Sequence, residues 1–196
     1  MLITHAHNSL AERPDEGGGH HPLLANHTSM GLDMYLSKKR YAKSRNHTGD
    51  DDQASRIDEV AYWRKANHIH KWFVDHVQKG NDDCREYYVS RKHLKALLDT
   101  VNTVLHGSQL VPSKITNGYT VTFKGNQIVE EPILEDGRRI ADPSIAMALL
   151  PTQAGFFFGS TDYDQYYYAD LEYTRGTLTK ALAEADDGRF YYQSSW

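Results

Sequence analysis

A single cysteine, Cys84, stands in 196 residues. No intramolecular disulfide can form, and a cysteine-cluster metal site is excluded. A reducing, cytoplasmic setting is the simplest expectation. Long hydrophobic runs are also missing: no stretch reaches the roughly 18 apolar residues that a membrane-spanning helix needs. The glycine-rich fingerprints of nucleotide binding, Gly-x-x-x-x-Gly-Lys-Ser/Thr and Gly-x-Gly-x-x-Gly, are absent. Excess positive charge is lacking too. The net charge near −4 gives no reason to expect a nucleic-acid groove or a membrane-binding surface. Phenylalanine is scarce, six against thirteen tyrosines. Tyrosine packs a core edge while keeping a hydroxyl free to bond something.

Taken in order, residues 1–29 carry five of the eleven histidines, a Gly17-Gly18-Gly19 run and no sustained period. They read as a disordered extension. Met30 before Gly31-Leu32 reads as the natural start, with the preceding residues an upstream extension of the reading frame. Leu32–Ser37 alternates apolar and polar side chains, the pattern of a half-buried strand. A basic stretch and a polar loop follow to Ser55. A helix is expected from about Asp58 to Gly80, then a short strand at Glu86–Ser90. A second helix capped by Ser90 has Leu94, Leu97, Leu98, Val101 and Leu105 as one plain apolar stripe. Residues 107–151 read as an irregular insertion. Asn117-Gly118 marks a turn there, Asp136-Gly137 a two-residue hairpin, and Asp142-Pro143 opens a short helix.

Gly155–Gly159 is a short apolar run that suggests a central buried strand. Asp162-x-x-Gln165 has the form of a capping box for a last helix reaching about Ala185. Residues 189–196 have the composition of a final strand. The expected fold is α+β: a small mixed or antiparallel sheet of about four core strands, three longer helices and an inserted hairpin, with residues 30–196 one domain.

The first helix is expected to carry two decorated faces. Tyr62, Ala66, Ile69, Phe73 and Val77 form a core stripe. Trp63, Asn67 and His70 form a second stripe beside it, bordered by Arg64 and Lys71. An indole, an amide, an imidazole and cations are the groups that hold a planar or anionic ligand. The alternative is that Trp63 widens the core stripe and His70 is a satisfied half-buried histidine. Ser160, Thr161, Asp162, Tyr163 and Asp164 make a second candidate, a helix start with free N–H groups and hydroxyl donors. There too the plain reading is a well-capped helix. His70 with Asp162 or Asp164 would be a mixed metal site or an acid–base pair, although no sequence spacing predicts it. His68, two residues from His70, points to another side of the helix.

Several strings, Gly31-Leu-Asp-Met-Tyr-Leu36, Glu59-Val-Ala-Tyr-Trp-Arg-Lys-Ala-Asn67 with Ile69-His-Lys-Trp-Phe73, Asp82-Asp-Cys-Arg-Glu-Tyr87, Leu149-Leu-Pro-Thr152 and Gly155-Phe-Phe-Phe-Gly-Ser-Thr-Asp-Tyr-Asp164, resemble a family of small, mostly uncharacterised phage and prophage proteins. Its members are sometimes labelled phosphoglycerate kinase. This chain is far too short for that enzyme and has no phosphate-binding signature. The resemblance implies a phage accessory product in the host-cell cytoplasm and assigns no catalytic residues or cofactor. The expectation is a binding protein for a small polar, nucleotide-like ligand held between the first long helix and the start of the last. A small hydrolase using His70 with Asp162 or Asp164, or a host-protein binder, are the alternatives.

Overall fold

The computed structural model describes residues 31–41, 54–124, 127–155, 158–185 and 187–196. The expectations for residues 1–30, for the loop 46–53 and for residues 42–45 of the basic stretch before it lie outside these. Ten elements follow one another among the described residues: β1 (Asp33–Tyr41), β2 (Ala54–Arg64), α1 (Asn67–His76), β3 (Tyr87–Val89), α2 (Arg91–His106), β4 (Leu110–Lys124), β5 (Gln127–Ile140), α3 (Ser144–Leu149), α4 (Gln165–Ala183) and β6 (Arg189–Ser195). The fold is α+β, with a four-stranded antiparallel sheet in the order β2-β1-β6-β3 and a separate two-stranded sheet of β4 and β5.

The alternation in β1 does what its pattern requires. Leu32, Met34 and Leu36 are buried while Tyr35 faces out. The final strand enters the sheet at its centre, so β6 pairs with β1 on one side and β3 on the other. Phe190, Tyr192 and Ser194 point into the protein. Ser90 accepts from the backbone N–H of His93 and starts α2, whose leucine and valine stripe packs on α4.

The stretch 58–66 differs from its expectation. Up to Arg64 it is strand, paired with β1 with Arg64 opposite Asp33, and Ala61 and Trp63 are buried two residues apart while Tyr62 faces out. The helix begins only at Asn67, after Lys65 takes a left-handed backbone with φ of 61°. Helical spacing merged two patterns, a period of two up to Trp63 and a period near 3.6 from Ala66 through Ile69 to Phe73. Strand wins because β1 needs a partner for its outer N–H and C=O groups.

Two turn signals and one expected strand also resolve differently. Asn117-Gly118 is a bulge inside β4, where the pairing slips between Thr116 and Tyr119 and Gly118 has φ of 97°. Asp136-Gly137 lies inside β5, and its glycine is there for space, because an added Cβ would lie 2.5 Å from Cδ1 of Ile115. The described residues of Gly155–Gly159 carry no strand, and Phe158 packs into the core from irregular chain. No described helix is long and apolar enough to cross a membrane.

Candidate functional site

The three residues at the centre of the expected site are interior. Trp63 is 2% exposed, Asn67 1% and His70 0%. Each gives its polar atoms to the protein. The Trp63 indole N–H donates to Oγ1 of Thr174 at 2.9 Å, tying edge strand β2 to α4. Asn67 Nδ2 donates to the carbonyls of Phe158 at 3.1 Å and Ser160 at 2.8 Å, and its Oδ1 accepts from the N–H of Gln153 at 3.0 Å. His70 lies between Tyr192, 2.8 Å from Nδ1, and Asp82, 3.0 Å from Nε2. The expected juxtaposition of Asn67 with the chain before the last helix therefore exists, but as a clamp on the backbone. Trp63 is core from strand β2 and not from a helix stripe, and His70 is a satisfied histidine that is fully and not half buried.

The remaining expected residues are spread out. Arg64 is exposed, and Lys71 pairs with Asp75 one turn along α1. Ser160 accepts from the N–H of Asp162. Thr161 is exposed. Tyr163 Oη accepts from the N–H of Thr152. Asp162 does not cap the last helix. It lies 3.4 Å from Arg139, and Asp164 is the cap, with Oδ1 accepting from the N–H groups of Tyr166 at 2.9 Å and Tyr167 at 3.2 Å. Both nitrogens of His70 are taken by Tyr192 and Asp82, so it pairs with neither Asp162 nor Asp164. Among the described residues, no group of three or more His, Cys, Asp or Glu could hold a metal ion.

Sequence reasoning missed a pair of grooves on the other side of α4. The larger, about 730 Å³, runs between the last turns of α2 and the middle of α4, lined by Asn102, Thr103, Leu105, His106, Tyr168 and Arg175. Its neighbour, about 370 Å³, opens between α4 and the base of the β4–β5 hairpin, lined by Leu110, Arg138, Gln165, Tyr168, Ala169 and Glu172. Tyr168 lines both. Volumes of this size hold small molecules. The second groove starts at Gln165, one residue beyond the expected Ser160–Asp164 junction. Its opposite wall is the hairpin base, where α1 was expected. The one available signal was the run Tyr166-Tyr167-Tyr168. It could not say which ring faces out, and only Tyr167 is deeply buried.

The charged lining of the grooves is two arginines, Arg138 and Arg175, and one acid, Glu172, which lies 3.6 Å from Arg175. On the inner side of α4 the titratable groups are perturbed. Burial pushes His68, whose ring lies 4.2 Å from that of Tyr167, down to about 3, so it is neutral at physiological pH. Burial, then the nearby Asp164 charge, raises Asp170 to about 8. Asp164 is raised as well, chiefly by burial. Cys84 is no activated nucleophile: burial raises its thiol, and Asp82 and Asp83 add to that.

Compared with protein-family models, with curated proteins and with solved structures, the chain gives no match.

Proposed function

We propose that this protein is an accessory binding protein, phage-encoded as its motifs suggest and acting in the host-cell cytoplasm. Its ligand would be small, polar and anionic, nucleotide-like in outline. The observation that carries this reading is the position of Tyr168, which lines both grooves with Arg175 on one side and Arg138 on the other. An aromatic ring flanked by guanidinium groups can stack on a planar moiety and balance a phosphate or carboxylate at the same time. The reading keeps the kind of ligand expected from the sequence and moves it from the α1 side of α4 to the α2 side.

The test is thermal-shift screening of the full chain against nucleoside mono-, di- and triphosphates and inorganic phosphate, followed by calorimetry on any hit. A nucleotide that raises the melting temperature of the wild type but not of Arg175→Ala supports the reading. A panel with no shift, or shifts that ignore Tyr168 and Arg175, counts against it. Host-protein binding is the second reading. It is favoured by the exposure of Met147 and Leu149 on α3, and it requires Met147→Asp to abolish a host complex while leaving any nucleotide shift intact.

A further inference from the structure

The β4–β5 hairpin is built as an arm. Its two strands pair with each other and, among the described residues, with no other strand. The base leans on α4, where Gln165 accepts from the N–H of Arg138 and the Tyr166 hydroxyl donates to Glu135. Beyond the bulge after Thr116, no hydrogen bond among the described residues joins 118–132 to another element. A two-stranded hairpin alone in water is marginal at best, so the outer arm lacks the support that the rest of the fold enjoys.

Its two edges are not equivalent. At the base of β5 the outer edge is occupied: Ile140 donates to the carbonyl of Tyr163 at 2.9 Å and Arg139 bridges Asp164. Farther out, Pro132 has no N–H to offer. Pro112 and Lys114 lie at the base of β4, but beyond the bulge the stretch 119–123 carries no such protection. Tyr119-Thr-Val-Thr-Phe123 has strong β-propensity, no charge and no proline. Its two aromatics are 50% and 67% exposed. Soluble proteins ordinarily guard such an edge with lysine, proline or a cover.

We infer that this edge pairs, antiparallel, with the same edge of a second copy of the chain, about a two-fold axis at Val121. The sequence is self-complementary in that register. Val121 meets Val121, Thr120 meets Thr122, and Tyr119 meets Phe123 on both sides of the axis, giving two aromatic cross-strand pairs. The nearest charge, Lys124, falls opposite Gly118, so no like charges face each other. A two-fold axis presents the same patch from both chains, whereas a foreign strand would have to supply a matching aromatic spacing of its own.

The test is the mass of the full-length chain in solution, by light scattering and sedimentation across a concentration series. The wild type is expected to pass from monomer to dimer. Val121→Lys and Val121→Glu each place like charges across the axis and should remain monomeric with unchanged circular dichroism. An equimolar mixture of the two should recover the dimer. A wild type that stays monomeric throughout, including one that gains mass only when a host protein is added, overturns the proposal. So does a Val121→Lys chain that dimerises as the wild type does, or a mixture that fails to recover.

Discussion

His70 and Asp82 lie 3.0 Å apart, imidazole Nε2 to carboxylate, with the ring fully buried and its other nitrogen held by Tyr192. Asp82 also accepts from the indole N–H of the C-terminal residue, Trp196, through its second oxygen at 3.1 Å. A histidine–carboxylate pair is the usual mark of acid–base chemistry. Here the geometry instead joins α1, the turn before β3 and the end of β6, and leaves no ring nitrogen for a substrate. Asp82→Ala is expected to cost about 1–3 kcal/mol, because it strands a buried imidazole nitrogen. Urea denaturation gives the cost. Hydrogen exchange at the Ser194–Trp196 end should show faster opening in the variant, and unchanged protection there would argue against the pin.

The raised Asp170 carboxyl sets a pH dependence opposite to that of ordinary paired acids. Its folded value of about 8 lies above the value near 3.9 of an unfolded aspartate. Between these two pH values the folded state keeps a proton that the unfolded chain has released. Its contribution to stability is therefore complete below pH ~4 and is lost as pH rises through about 8. Asp170→Asn should flatten that part of the profile and raise the melting temperature at pH 8 by about 3 °C or more. A melting curve measured from pH 5 to 9 on both chains decides it. Parallel profiles would sink the assignment.

Two glycines should respond in opposite directions to alanine. At Gly137 the new methyl would meet the Ile115 side chain at 2.5 Å, and Gly137→Ala is expected to cost about 1–3 kcal/mol by overpacking. At Gly176, inside α4, nothing lies within 4 Å of the same added carbon. Gly176→Ala should stabilise by about 0.5–1 kcal/mol, since it removes freedom from the unfolded chain and improves helix propensity. Chemical denaturation of the two single variants provides the comparison.

The groove reading predicts a separation between binding and stability. Tyr168 is half-buried and Arg175 exposed on α4. Arg175→Ala should leave stability within about 0.5 kcal/mol of the wild type while weakening an anionic ligand by about tenfold, near 1.4 kcal/mol. Trp63→Phe should do the reverse, lowering stability by about 1–2 kcal/mol through loss of the bond to Thr174 and leaving affinity alone. Calorimetry paired with denaturation on both variants shows which residue belongs to which role.

Elements fixed by near neighbours were legible before any coordinates. Leu32, Met34 and Leu36 alternate, so β1 was readable. Ser90 sits three residues before His93, so the start of α2 was readable as well. The α+β class followed from such local patterns, and the last strand from the composition of residues 189–196. The stretch 58–66 was not readable, because Ala61, Trp63, Ala66 and Ile69 satisfy a strand and a helix in turn. What decides between them is the row of N–H and C=O groups that β1 presents from another part of the chain.

The same limit applies to the site. Trp63, Asn67 and His70 had the chemistry of ligand contacts, and the sequence alone determined that chemistry. Whether an indole N–H, an amide and an imidazole meet a ligand or the protein depends on what lies within hydrogen-bond reach of them, here Thr174, the Phe158 and Ser160 carbonyls, and the Tyr192–Asp82 pair. Those partners are distant in sequence, and only the tertiary structure brings them close. A polar group taken out of water must find a partner, and the fold supplied partners from within.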